Sequence, residues 1–217
     1  MKLVAPNGKP SNLTPEQYRL VRTSAFKNWF GDWENSPKTA SKIVDENGEP
    51  LVVWHTTKKT GLSRNQTWSK GWWNYKFIFN SELEGMNMEK KRREKGAIYF
   101  TDSEELSKTF GEEDNSHTFS FFLNFVNPII LDANNQHIEF LSDEIAKSSD
   151  LDIIVRNATD TIGWSMAFSV SNIFITSYSN RIKLADGTNI IFDGNNPDVR
   201  YADGGSINDF KYSIGGL

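Results

Sequence analysis

Phe26, Trp29 and Phe30 recur at helical spacing and stop at Gly31, whereas Leu51, Val52, Val53 and Trp54 form an unbroken bulky run with no polar alternation. The first pattern predicts a short helix with its aromatic face turned to the body and a glycine stop. The second predicts a strand buried on both faces that ends at His55. Upstream, Thr14-Pro15-Glu16-Gln17 is a helix start: threonine to cap, proline suited to the first turn, glutamine to complete a capping box. That helix is expected to run to about residue 22. Asp45-Glu46-Asn47-Gly48 is flanked by stretches 41–44 and 51–54 and predicts a hairpin, because Asn-Gly tolerates positive φ.

Beyond His55 the pattern loosens. Positions 58–80 carry many aromatics with no clean period and read as an irregular flap, and 82–95 is charged and helix-permissive, ending in a basic run. Gly96-Ala97-Ile98-Tyr99-Phe100-Thr101 is a second short apolar strand. Asp102-Ser103-Glu104-Glu105 then offers another capping box for a helix to Phe110, with Gly111 as its stop. Strands are expected over 117–125, 128–131, 151–156 and 172–178, and an amphipathic helix over 138–147. Residues 195–217 are rich in Asn, Asp and Gly and read as a flexible tail. No internal repeat is evident. The organisation expected is a helical arm over 1–40, a catalytic domain over 41–194 and the tail, in an α+β fold.

Composition narrows the function. The chain has 217 residues, 24% charged and 13% aromatic, enough for one folded domain with an arm. A net charge of −4 argues against a protein that neutralises many phosphates of a duplex. The absence of cysteine removes disulfides, thiol nucleophiles and the usual structural zinc sites. No secretion signal or membrane span is visible.

Three histidines exist, His55, His117 and His137, and none pairs with another at metal-ligand spacing on one helix, so no metal is expected. Gly-x-Ser-x-Gly, P-loop and dinucleotide-binding glycine fingerprints are missing. What stands out is an order: His55-Thr56-Thr57, then Gly96-Ala97-Ile98-Tyr99-Phe100-Thr101, then Ser107 and Phe110 on the following helix.

That order resembles the diphtheria-toxin and poly(ADP-ribose)-polymerase type of ADP-ribosyltransferase, whose pattern is His-Gly-Ser/Thr, then Gly-Ile-Tyr-Phe, then a serine and a second aromatic. Stretches 13–31, 44–57, 123–133 and 152–157 are similar to the ADP-ribosyltransferase domain of phage and mobile-element polyvalent proteins. The resemblance implies a split β-sandwich of two mainly antiparallel sheets and NAD as substrate, without a metal. It implies that His55 hydrogen-bonds a ribose hydroxyl, that Tyr99 and Phe110 sandwich the nicotinamide, and that Thr56, Thr57 and Ser107 complete the NAD site. Such a set suits glycosidic cleavage, which needs a rigidly held pyridinium and little acid–base machinery.

Two positions depart from the pattern. Thr56 stands where the family has glycine. Ile173, in Ile173-Phe174-Ile175-Thr176-Ser177, takes the place of the family glutamate, giving a His55-Tyr99-Ile173 trio. The function implied is mono-ADP-ribosylation of a macromolecular acceptor, a host protein before a nucleic acid, by a phage or mobile-element effector in the bacterial cytoplasm, with a larger polyprotein or virion as its context. The alternatives are a catalytically inactive interaction or virion-associated module, and an NAD glycohydrolase.

Overall fold

The computed structural model describes residues 2–57, 98–109, 117–141, 144–145, 152–161, 168–176, 178–186, 192 and 195. The expected aromatic flap, the charged helix over 82–95, Phe110 and the tail from 196 onward lie outside them.

Local chemistry shapes the N-terminal arm as its sequence predicts. Helix α1 (Pro15–Leu20) is opened by Thr14, whose hydroxyl accepts from the Gln17 amide while the Gln17 side chain accepts from the Thr14 amide. Helix α2 (Ser24–Phe30) is capped by Thr23 and stops at Gly31, at φ 96°. A side chain there would put its Cβ 2.5 Å from the Ala40 Cα, so both conformation and space require glycine. Phe26 stacks on Phe30 at 5.0 Å and meets Phe122 edge-on at 5.1 Å, which anchors the arm to the sheet.

Contrary to expectation, the chain does contain a repeat. Val4-Ala5-Pro6-Asn7-Gly8-Lys9-Pro10 and Val44-Asp45-Glu46-Asn47-Gly48-Glu49-Pro50 share Val, Asn, Gly and Pro at matching places and fold alike. Each closes a Val-to-Pro bridge and holds its glycine near φ +80°, at 81° and 79°. The two loops meet: Asn7 Nδ2 donates to Asn47 Oδ1 at 2.9 Å. Arg22 fastens the second loop to the arm, donating to the fully buried Glu49 at 2.8 Å while its guanidinium stacks 3.4 Å over the Tyr18 ring. The predicted hairpin is therefore a tight loop with a single bridge, and its position fixes where the next strand enters the sheet.

The strands are β1 (Val53–Thr57), β2 (Ile98–Thr101), β3 (His117–Leu123), β4 (Ile129–Asp132), β5 (Ile153–Thr161), β6 (Phe168–Thr176) and β7 (Ile182–Leu184), with helix α3 (Glu104–Thr109) after β2. They form one sheet in the order β4-β5-β6-β2-β1-β3-β7, parallel only between β4 and β5. The fold is α+β as expected, but the described residues form one mixed, mostly antiparallel sheet in place of two packed sheets. The reason lies at its centre. β1 and β2 share a single pair, Trp54↔Thr101, whereas β1 pairs β3 over five residues and β2 pairs β6 over four. One residue pair joins two ladders into one sheet.

Alternation along the strands sorts the core onto two faces. Val53, Phe100, Phe121, Phe174 and Ile154 share one cluster. On the opposite face Phe122 joins the arm, while Leu106 of α3 packs with Ile153, Val155, Ile173 and Ile175. Several boundaries differ from the sequence reading. β1 runs through His55 to Thr57. β5 and β6 are longer than predicted, with a bulge between Val155 and Ala158, and β7 was not anticipated. The helix expected over 138–147 begins as a 3-10 turn, Ile138–Leu141, with helical residues at 144–145. α3 is capped by Ser103, whose Oγ accepts from the Leu106 amide, because the Asp102 carboxylate is engaged elsewhere. No helix among the described residues is long and apolar enough to cross a membrane.

Candidate active site

Past Trp54↔Thr101 the two central strands part, and His55 stands at the opening. Its Nδ1 lies 2.7 Å from the Tyr99 carbonyl oxygen. A carbonyl only accepts, so Nδ1 carries the hydrogen and donates; a neutral ring then keeps its lone pair on Nε2. Here a side chain meets a strand carbonyl at the level where the β1–β2 ladder has stopped. The imidazole is 8% exposed and lies 5.5 Å from the Phe100 ring. Burial holds its pKa below the usual histidine value, and the hydrogen bond to the Tyr99 carbonyl opposes that shift only in part.

Thr56 follows on the other face of β1, directly across from Thr118 on β3. Its hydroxyl lies 2.9 Å from that of Ser107 on α3 and 2.8 Å from that of Thr118. Ser107 is almost fully buried. The side chain therefore ties strand to helix. Thr57 pairs with His117 through the backbone at the end of β1.

Tyr99, half-buried, packs against the cluster formed by Leu106, Ile173 and Ile175. In register it faces Ile175, and Thr101 faces Ile173. His55, Tyr99 and Ile173 thus lie on three adjacent strands, β1, β2 and β6. His55 reaches Tyr99 through the Tyr99 carbonyl, while the tyrosine ring and Ile173 belong to the opposite face's apolar cluster. Ile173 is buried among aliphatic side chains.

Asp102, which follows β2, and Asp152, which precedes β5, are both engaged. Asp102 accepts from the Asn172 amide at 2.9 Å and from its Nδ2 at 2.6 Å. Asp152 accepts from the Thr176 hydroxyl at 2.7 Å and lies 3.5 Å from Arg181 Nε. Burial pushes both carboxyl groups above the ordinary aspartate value against those hydrogen bonds. Among the described residues no three metal-binding side chains gather.

Two participants escaped the sequence reading. Thr118 and Phe100 become neighbours of Thr56 and His55 only once the strands are in register. No known family, characterised protein or solved structure matches the chain.

Proposed function

We propose that the chain is an NAD-dependent mono-ADP-ribosyltransferase acting on a macromolecular acceptor, with a sheet of the split ADP-ribosyltransferase kind whose seam is the β1–β2 junction. The observation that carries the reading is the histidine at that seam. A buried imidazole that gives its Nδ1 hydrogen to the Tyr99 carbonyl offers Nε2 as an acceptor, which suits a ribose hydroxyl. The ring is fixed by the backbone of the strand that bears Tyr99.

In this reading Tyr99 and Phe110 hold the nicotinamide ring, and the Thr56 and Thr57 backbone with Ser107 meets the carboxamide. Cation–π attraction favours aromatic faces around the charged ring. The bond from ribose to nicotinamide nitrogen breaks with its electron pair passing to the ring, and the acceptor's nucleophile bonds the same ribose carbon. Ile173 offers no carboxylate to hold the ribose hydroxyl or to activate a further acceptor. Loss of one such preorganised group lowers a rate by about 10²–10³, so transfer is slow and stops at one ADP-ribose. The net charge of −4 favours a host protein over nucleic acid as acceptor. The resemblance also carries the context of a phage or mobile-element effector working in the bacterial cytoplasm.

One observation favours a second reading, a module that keeps the fold without turnover: Ile173 is buried in an apolar cluster. Nicotinamide release with and without host lysate separates them. Release that requires lysate supports transfer, and release without it indicates a hydrolase. NAD binding with no release indicates the inactive module, and neither binding nor release removes the NAD reading.

A further inference from the structure

The hydroxyl cluster beneath the seam has a direction to assign. Thr56 Oγ1 contacts both Ser107 Oγ, at 2.9 Å, and Thr118 Oγ1, at 2.8 Å, yet it has one hydrogen to give. Thr118 is half-buried and can receive water on its lone pairs, so giving its hydrogen inward leaves it satisfied. Ser107 is 1% exposed and sits on α3 behind Thr56. If Thr118 donates to Thr56 and Thr56 donates to Ser107, the Ser107 hydrogen is left for an acceptor outside the cluster. If the chain runs the other way, Ser107 is left as an acceptor only.

We infer that Thr56 is a positioning residue acting through Ser107: the chain Thr118 to Thr56 to Ser107 leaves the serine hydroxyl as a donor to the carbonyl oxygen of the ligand's carboxamide. The inference rests on the NAD reading above and deepens it. It also gives the Thr56 side chain a task. The hydroxyl that a glycine would lack is turned towards α3 and β3, where it orders the helix serine.

The test compares binding of NAD and of its 3-acetylpyridine analogue, which keeps the ring's carbonyl acceptor and lacks the amide hydrogens. Thr56→Val preserves shape and removes the hydroxyl; Thr56→Ser preserves the hydroxyl. Thr56→Val is expected to weaken both dinucleotides by about tenfold, the scale of one hydrogen bond, and Thr56→Ser to stay within about twofold of wild type. Recovery in Thr56→Ser beside loss in Thr56→Val, in variants whose melting curves show them folded, is what a role in packing alone does not foretell. A loss for NAD alone overturns the direction, because Ser107 would then accept from the amide. Wild-type affinity in Thr56→Val overturns the role altogether. Should Thr56→Val melt far below wild type, Thr118→Val decides the same question: equal weakening of both ligands supports the chain, and unchanged binding overturns it. Wild type that binds neither dinucleotide removes the NAD reading and the inference with it, a result distinct from tight wild-type binding that Thr56→Val leaves untouched.

Discussion

His55 has two nitrogens with two tasks, and substitution can separate them. Removing the buried imidazole takes away its hydrogen bond to the Tyr99 carbonyl, which costs about 1–3 kcal/mol. Loss of the contact with the Phe100 ring adds roughly 0.5–1.5 kcal/mol. His55→Ala is therefore expected to destabilise the fold by about 2–4 kcal/mol. Asparagine places an amide N–H near the position of Nδ1, so His55→Asn recovers most of the first component and still has nothing at Nε2. Glutamine reaches the position of Nε2 and misses the carbonyl. Chemical denaturation followed by tryptophan fluorescence should rank wild type first, then Asn, with Gln and Ala lowest. NAD affinity should rank wild type first, then Gln, with Asn and Ala lowest. The pH dependence follows from the same burial. A histidine with depressed pKa in the fold contributes fully above its unfolded value of about 6.5, and the contribution is lost as pH falls from there towards the folded value, by at most about 1.4 kcal/mol per pH unit. The gap between wild type and His55→Asn should narrow as pH falls below about 6.5. Asn and Ala of equal stability would refute the carbonyl bond as a support, and wild-type NAD affinity in His55→Asn would refute Nε2 as the ligand's acceptor.

Ile173→Glu, which introduces the glutamate that the proposed activity would use for chain elongation, should lower the melting temperature sharply, because an unpaired carboxylate buried among Leu106, Val155 and Ile175 costs several kcal/mol; a folded variant that forms ADP-ribose chains would show that the position is open to the cleft. Gly31→Ala should cost about 1–3 kcal/mol in denaturant unfolding and more than Gly48→Ala, since both glycines have positive φ but only Gly31 would drive a Cβ into Ala40; equal losses would show that the Ala40 contact relaxes freely.

What the sequence made legible is what short-range chemistry decides. Thr14 and Gln17 satisfy each other's amides within one turn, and Gly31 and Gly48 need positive φ whatever surrounds them. The strands around Val53, Ile98 and Ile129 are apolar runs that any sheet would take. The repeat was visible in principle, as four matching residues in each loop, but seven-residue windows forty positions apart carry little weight until Asn7 meets Asn47. β7 escaped because three residues with Lys183 at their centre have no strand pattern. The seam escaped because it is a matter of register. Nothing near Trp54 states that β1 will pair five residues with β3 and one with β2, and that difference turns His55 from the end of a strand into a side chain bonded across an opening. The same register brings the Thr56 hydroxyl into contact with Ser107 and Thr118.

Transfer itself can be read by incubating the wild-type protein with host lysate and NAD labelled in its adenosine half, then examining the labelled macromolecules by mass spectrometry. The expected result is one ADP-ribose on each modified side chain, released nicotinamide in matching amount, and no label with His55→Asn. Label in repeating ADP-ribose chains, or no label on any macromolecule despite tight NAD binding, would contradict mono-ADP-ribosylation as the activity of this chain.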